Sequence, residues 1–197
     1  GHPSRSKWYH NWGYGNMRDY PLADHKYAIE QLANRHSFIN IDKVGIHGHS
    51  GGGFMSTAAM CQYPDFFKAA VSCAGNHDNK IYNRWWSETH HGVKETVTDQ
   101  GDTTFVYKIE SNPEIAKQLK GHLLLIHGEI DNNVHPGNTS RVVNALIRAN
   151  KRFDMLYLPM QRHSFGDMNE YFYWRLVDHF TDYLIDGRTK EVDIPQR

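Results

Sequence analysis

The sequence is poor in the features that would make a partner or a cofactor legible. Its 197 residues include two cysteines, Cys61 and Cys73. Two thiols make no disulfide framework, and neither their spacing nor their flanks suit a metal site. Both lie in apolar stretches and read as buried, inert thiols. Lys+Arg and Asp+Glu each number 22, so the formal net charge is zero. With no basic stripe and no run of like charges, nothing argues electrostatically for nucleic acid or an anionic membrane. No apolar run approaches the roughly 18 residues of a membrane span; none is longer than Leu123 to Ile126. There is no H-E-x-x-H, the histidines do not cluster at ligand spacings, and neither a metal nor another cofactor is expected. No internal repeat, low-complexity segment or linker divides the chain. No signal peptide is present, and Gly1-His2-Pro3 reads as mid-domain. The length suits one domain with a real core.

What the chain does have is alternation. Gly1 to Tyr20 shows no period and reads as a loop. Pro21 opens a helical pattern, with Leu22, Ala23, Tyr27, Ile29, Leu32 and Ala33 mainly on one face. Asp42 to Gly48 reads as a short buried strand, Phe54 to Gln62 as a helix and Lys68 to Cys73 as a second strand. Residues 75 to 110 are polar and aromatic without a period, a long irregular segment of the kind that serves function or forms a lid. Asn112-Pro113 reads as an N-cap followed by proline at the first helical position, with Gly121 as the stop. His122 to His127 is a third strand, Pro136 to Asn150 a helix, Phe153 to Leu158 a fourth strand and Asn169 to Ile185 the last helix. Strands alternating with helices predict an α/β fold, a mostly parallel sheet with helices on both faces. Right-handed crossovers then bring all four strand C-termini to one edge, where open α/β sheets hold their sites.

Three loops at that edge carry chemistry. Gly48-His49-Ser50-Gly51-Gly52 matches G-x-S-x-G between a strand and a helix, the context the motif requires. Ser50 is the candidate nucleophile, at a turn where side chains two residues either side would collide, so that Gly48 and Gly52 fit. The Gly51 N–H at the helix start is a candidate oxyanion donor. A phosphate-binding loop is excluded because Phe54, not Gly-Lys-Ser/Thr, follows Gly53. A serine hydroxyl needs an adjacent base, and this fold takes Ser, then Asp/Glu, then His in chain order. Asp131, just past the third strand, is the candidate acid, with Glu129 its nearest rival. His163, just past the fourth strand, is the candidate base. The other histidines suit the role less well: His135 begins the next helix, His179 is mid-helix, and His90 and His91 precede the acid. His49 sits within the turn, and His122 and His127 belong to a strand.

Four stretches then carry a resemblance: Gly48 to Gly53, the run His127-Gly128-Glu129-Ile130-Asp131-Asn132-Asn133-Val134-His135, the loop bearing His163, and Asp19-Tyr20-Pro21-Leu22-Ala23-Asp24. Over nearly its whole length the chain resembles the C-terminal catalytic domain of the prolyl oligopeptidase family, nearest its dipeptidyl peptidase IV-like members, within the α/β-hydrolase fold. The resemblance implies a serine peptidase that cleaves peptides by acyl transfer after proline or a small residue. It implies that Asn133 contacts a substrate carbonyl and that Ile81 to His90 forms the pocket for the residue before the scissile bond. Trp86 and His90 stand where dipeptidyl members place tyrosines, with Tyr82 and Trp85 beside them; His90 departs from that pattern. It also implies further sheet strands, a tyrosine completing the oxyanion hole and a β-propeller, all upstream of Gly1. On that reading the chain is a catalytically weak fragment that self-associates through an open sheet edge at Val44 and Ile46. A secreted or periplasmic parent follows from the resemblance alone. A carboxylesterase or acyl-peptide hydrolase on the same fold, and a non-catalytic interaction module, are the competing readings.

Overall fold

Leu123 to Ile126 are four consecutive aliphatic residues, none more than 2% exposed. In a strand, alternation sends Leu123 and Leu125 to one face and Leu124 and Ile126 to the other. Each pair joins a different core cluster. Burial of each such side chain contributes about 1.5–3 kcal/mol relative to exposure. A strand of this kind needs cover on both sides, and that requirement organises the molecule.

The computed structural model describes residues 2–185. Helices α1 (Lys7–Asn11) and α2 (Asp19–Arg35) lead into β1 (Val44–His49), α3 (Gly51–Gln62) and β2 (Phe67–Cys73). Helix α4 (Arg84–His91) and a hairpin of β3 (Val93–Val97) and β4 (Thr103–Tyr107) follow. Next come α5 (Asn112–Ile115), β5 (His122–Gly128), α6 (Gly137–Arg148), β6 (Asp154–Leu158) and α7 (Asn169–Leu184). The main sheet has the order β1-β2-β5-β6, and every neighbouring pair is parallel. Helix α3 covers one face through Ala58, Ala59 and Met60, in a cluster shared with Leu22, Val142 and Leu146. Helix α7 covers the other through Phe172, Leu176 and Phe180. The predicted α/β architecture is therefore the observed one. Cys61 and Cys73 are buried free thiols, pushed up to about 12 by burial and so protonated.

Three local expectations are corrected. The segment 75–110 is not irregular: it holds α4 and the β3–β4 hairpin. The hairpin was hard to read because its strands are exposed along most of their length, so no apolar alternation marks them. Asn112 is not the N-cap of its helix. Ser111 takes that place in a capping box: its side chain faces the Glu114 N–H while the Glu114 carboxylate accepts from the Ser111 N–H at 2.6 Å, and the Ser111 hydroxyl also donates to that carboxylate at 2.9 Å. Asn112 is wholly buried instead, and its Nδ2 donates to the Phe54 carbonyl at 2.9 Å. Finally, the opening loop contains α1, whose Ser6 Oγ accepts from the Tyr9 N–H at 3.0 Å. Helix α2 starts at Asp19, so Pro21 falls in its first turn, where a missing N–H costs nothing.

Candidate active site

The parallel order puts the C-termini of β1, β5 and β6 at one edge, and the three candidate loops leave from there. Ser50 joins β1 to α3 with φ 58° and ψ −120°, a conformation that L-residues rarely adopt and that active sites store. Its N–H donates to the Cys73 carbonyl at 2.8 Å, which fastens the turn to the neighbouring strand. Among the described residues the Ser50 hydroxyl makes no hydrogen bond. Gly51 begins α3, so its N–H is among the amides that have no partner within the helix.

The crowding at this turn differs from the expected one. A Cβ on Gly48 would meet the Gly52 carbonyl carbon and oxygen at 2.4 Å, but a Cβ on Gly52 would meet nothing within 4 Å. Gly53 is the second glycine that the packing requires, since its Cβ would strike the Cys73 carbonyl oxygen at 2.3 Å. The close approach is that of α3 to β2, and it lifts Ser50 over the sheet edge.

Asp131 follows β5 and is buried; His163 follows β6. His163 Nδ1 lies 2.7 Å from Asp131 Oδ2. A carboxylate only accepts, so Nδ1 carries the proton and Nε2 keeps its lone pair. Asp131 Oδ1 accepts the N–H groups of Asn133 (2.9 Å) and Val134 (3.0 Å). Burial raises the Asp131 pKa, but the bonds from His163, Asn133 and Val134 outweigh it and hold the carboxyl below its ordinary value. The rival carboxylate, Glu129, is engaged elsewhere: it accepts from the Met160 N–H at 3.0 Å and so ties the loop after β5 to the loop after β6.

His163 is brought to the serine turn by His49, which donates from Nε2 to the His163 carbonyl at 2.6 Å. The two imidazole centroids are 4.6 Å apart. Burial lowers the His49 pKa, which favours a neutral ring beside the base. In the sequence His49 belongs to the turn and His127 to a strand, with nothing to join either to His163 or Asp131. Yet His127 is wholly buried, with Nε2 3.3 Å from Asp131 Oδ2. A histidine closing the aliphatic run Leu123 to Ile126, four residues before the candidate acid, is the available signal.

The aromatic candidates fall into two groups. Trp86 lies over the start of α3, where a Cβ on Gly51 would meet its ring at 3.9 Å. Tyr82 and His90 flank it edge-on, at 5.4 and 4.5 Å between centroids. Trp85 is 75% exposed. Helix α4 is seated by a buried polar cluster in which Asn79 Oδ1 accepts from Asn76 Nδ2 (2.9 Å) and Ser87 Oγ (3.2 Å). Among the described residues no group of three or more His, Cys, Asp or Glu is placed to hold a metal. No helix among them is long and apolar enough to cross a membrane.

A parallel sheet whose nucleophile-type turn precedes the loops of the candidate acid and base, covered by helices on both faces, defines an α/β-hydrolase domain. The comparisons with known proteins carry this further. The sequence profile of the prolyl oligopeptidase family matches residues 1–186, and the chain belongs to that family. It is 33% identical to human dipeptidyl peptidase 8 over 148 residues, 75% of this chain and 16% of that protein. It is 28% identical to dipeptidyl peptidase family member 1 of Caenorhabditis elegans over 174 residues, 85% of this chain and 20% of that protein. The crystal structure of Porphyromonas gingivalis dipeptidyl peptidase 4 superimposes with a TM-score of 0.77 at 27% identity, over 90% of this chain and 25% of that one. The chain thus spans a fifth or less of the length of these two curated relatives.

Proposed function

We propose that this chain carries the catalytic residues of a serine peptidase of dipeptidyl type, with Ser50 as nucleophile, His163 as general base and Asp131 as the acid that orients it. The carrying observation is the 2.7 Å contact of His163 Nδ1 with Asp131 Oδ2. That bond leaves Nε2 as the only basic nitrogen of the ring. Nε2 takes the Ser50 proton as Oγ attacks the peptide carbonyl, and the oxyanion forms toward the Gly51 N–H. The imidazolium then gives its proton to the departing amine, and water hydrolyses the acyl-serine by the same steps in reverse roles. Peptides are the proposed substrates because the two curated relatives and the solved structure are all named dipeptidyl peptidases.

Trp86 is the proposed apolar wall for the residue before the scissile bond, with Tyr82 and His90 supporting it, Trp85 at its rim and Asn133 toward a substrate carbonyl. A flat ring such as proline suits the face of an indole. Labelling with a fluorophosphonate probe tests the assignment: wild-type protein should label, and Ser50→Ala should not. Labelling that survives Ser50→Ala would move the nucleophile elsewhere. Self-association through β1 is a further proposal, supported by its place as an outer strand of the main sheet. Sedimentation that finds only monomer would remove it.

A further inference from the structure

His127 ends the aliphatic run of β5 and has no exposed surface. Its Nε2 lies 2.8 Å from the Val134 carbonyl oxygen. A carbonyl only accepts, so Nε2 carries a proton. Its Nδ1 lies 2.7 Å from Thr139 Oγ1. In a neutral ring that nitrogen accepts, so the Thr139 hydroxyl donates to it and fixes the tautomer. Burial, the largest influence on this ring, lowers its pKa and favours the neutral form. The titratable groups that face the ring are Asp131 and His163 on the site side and His77 on the other.

His127 Nε2 also lies 3.3 Å from Asp131 Oδ2, the oxygen that accepts from His163, a longer contact of the nitrogen whose proton goes first to the Val134 carbonyl. Val134 is used twice: its N–H binds Asp131 Oδ1 at 3.0 Å and its carbonyl accepts from His127. Three N–H groups, from His163, Asn133 and Val134, therefore bond one carboxylate, and His127 Nε2 lies beside it at 3.3 Å. The two backbone amides fix Oδ1. Without His127, the His163 bond alone would fix the rotation of Oδ2. A charged His127 would oppose the imidazolium that His163 becomes, so its neutrality matters as much as its position.

We propose that His127 is a positioning residue of this site, whose Nε2–H, held in place by Thr139 and Val134, sets the Asp131 carboxylate for its bond to His163. The proposal rests on the reading of Asp131 and His163 as acid and base. In the full chain, His127→Leu should lower the rate of fluorophosphonate labelling about tenfold, the size of one hydrogen bond to a charged group. Affinity for a reversible peptide ligand should not change. The acid limb of the labelling profile should move to higher pH, because Oδ2 then turns more negative charge on His163. His127→Gln, whose amide N–H can stand in for Nε2–H, should recover most of the rate. Thr139→Val should lose rate in the same direction and Thr139→Ser should restore it.

A folded His127→Leu protein with the wild-type rate and pH profile would overturn the proposal. If that variant does not fold, the Thr139 pair decides: wild-type behaviour in both would overturn it. The low-field N–H proton resonance of His163, read by NMR, needs no activity. It should shift in His127→Leu or Thr139→Val if the proposal holds, and stay in place if it does not. Absence of labelling in the wild type with that resonance present would count against the serine assignment alone.

Discussion

Gly48 and Gly52 meet backbone to backbone: a Cβ on Gly48 would lie 2.4 Å from the Gly52 carbonyl, while a Cβ on Gly52 would enter open space. The two glycines of the motif are therefore not equivalent. Gly48→Ala should destabilise by about 1–3 kcal/mol or more, the range for forced overpacking, and Gly53→Ala should do the same through the Cys73 carbonyl. Gly52→Ala, at a helical position, should be neutral or stabilise by up to about 1 kcal/mol. Urea unfolding midpoints of the three variants check the order, and an equal loss in all three would show that the turn is not packed as described.

The sequence carried the fold where burial was two-sided. Leu123 to Ile126 could be read as a buried strand because neither face is exposed. Gly48 to Gly53 could be read as a turn because the motif ties residue type to backbone shape. The β3–β4 hairpin was missed for the opposite reason: Val93, Val97, Phe105 and Val106 are exposed, so no core imposed a period on their neighbours. At the site, the order of Ser50, Asp131 and His163 was legible from strand positions alone. The roles of His49 and His127 were not. His49 reaches the His163 carbonyl across 114 positions, a contact that spacing along the chain does not record, whereas His127 stands four residues before Asp131 and only its burial marks it out.

Trp86 and Trp85 are chain neighbours with different surroundings. Trp86 packs at the start of α3 between Tyr82 and His90, whereas Trp85 is 75% exposed. If Trp86 forms the pocket wall, Trp86→Ala should lower kcat/KM for substrates with proline before the scissile bond by about tenfold, equivalent to the roughly 1.5 kcal/mol of a good aromatic contact. Alanine-type substrates should lose less, and Trp85→Ala should leave the ratio within about twofold of wild type. A Trp86→Ala protein with unchanged preference between the two substrates would remove the pocket assignment.

His77, on the far side of the His127 ring from Asp131, gives the fold an acid-sensitive element. It is wholly buried, its Nδ1 lies 2.9 Å from Asn112 Nδ2, and among the described residues its Nε2 has no hydrogen-bond partner. Burial is the main cause that pushes its pKa from 6.5 down to about 3, and His127 adds to it. His91, the last residue of α4, is pushed down to about 4, again mainly by burial. Below pH 6.5 the unfolded chain therefore binds protons at these positions that the folded chain refuses. Stability rises with pH wherever the unfolded state holds more protons, so it is fully present above 6.5 and falls as the pH drops toward the folded values. Each ring contributes up to about 1.4 kcal/mol per pH unit in that window. Unfolding by urea at pH about 7 and about 5.5, above the range in which most carboxylates titrate, reads the effect. His77→Gln should cost stability at the higher pH through lost packing, yet lose less than the wild type on acidification. If the two proteins lose the same amount, His77 takes up its proton in the folded state, and its burial without a partner at Nε2 is not what sets its charge.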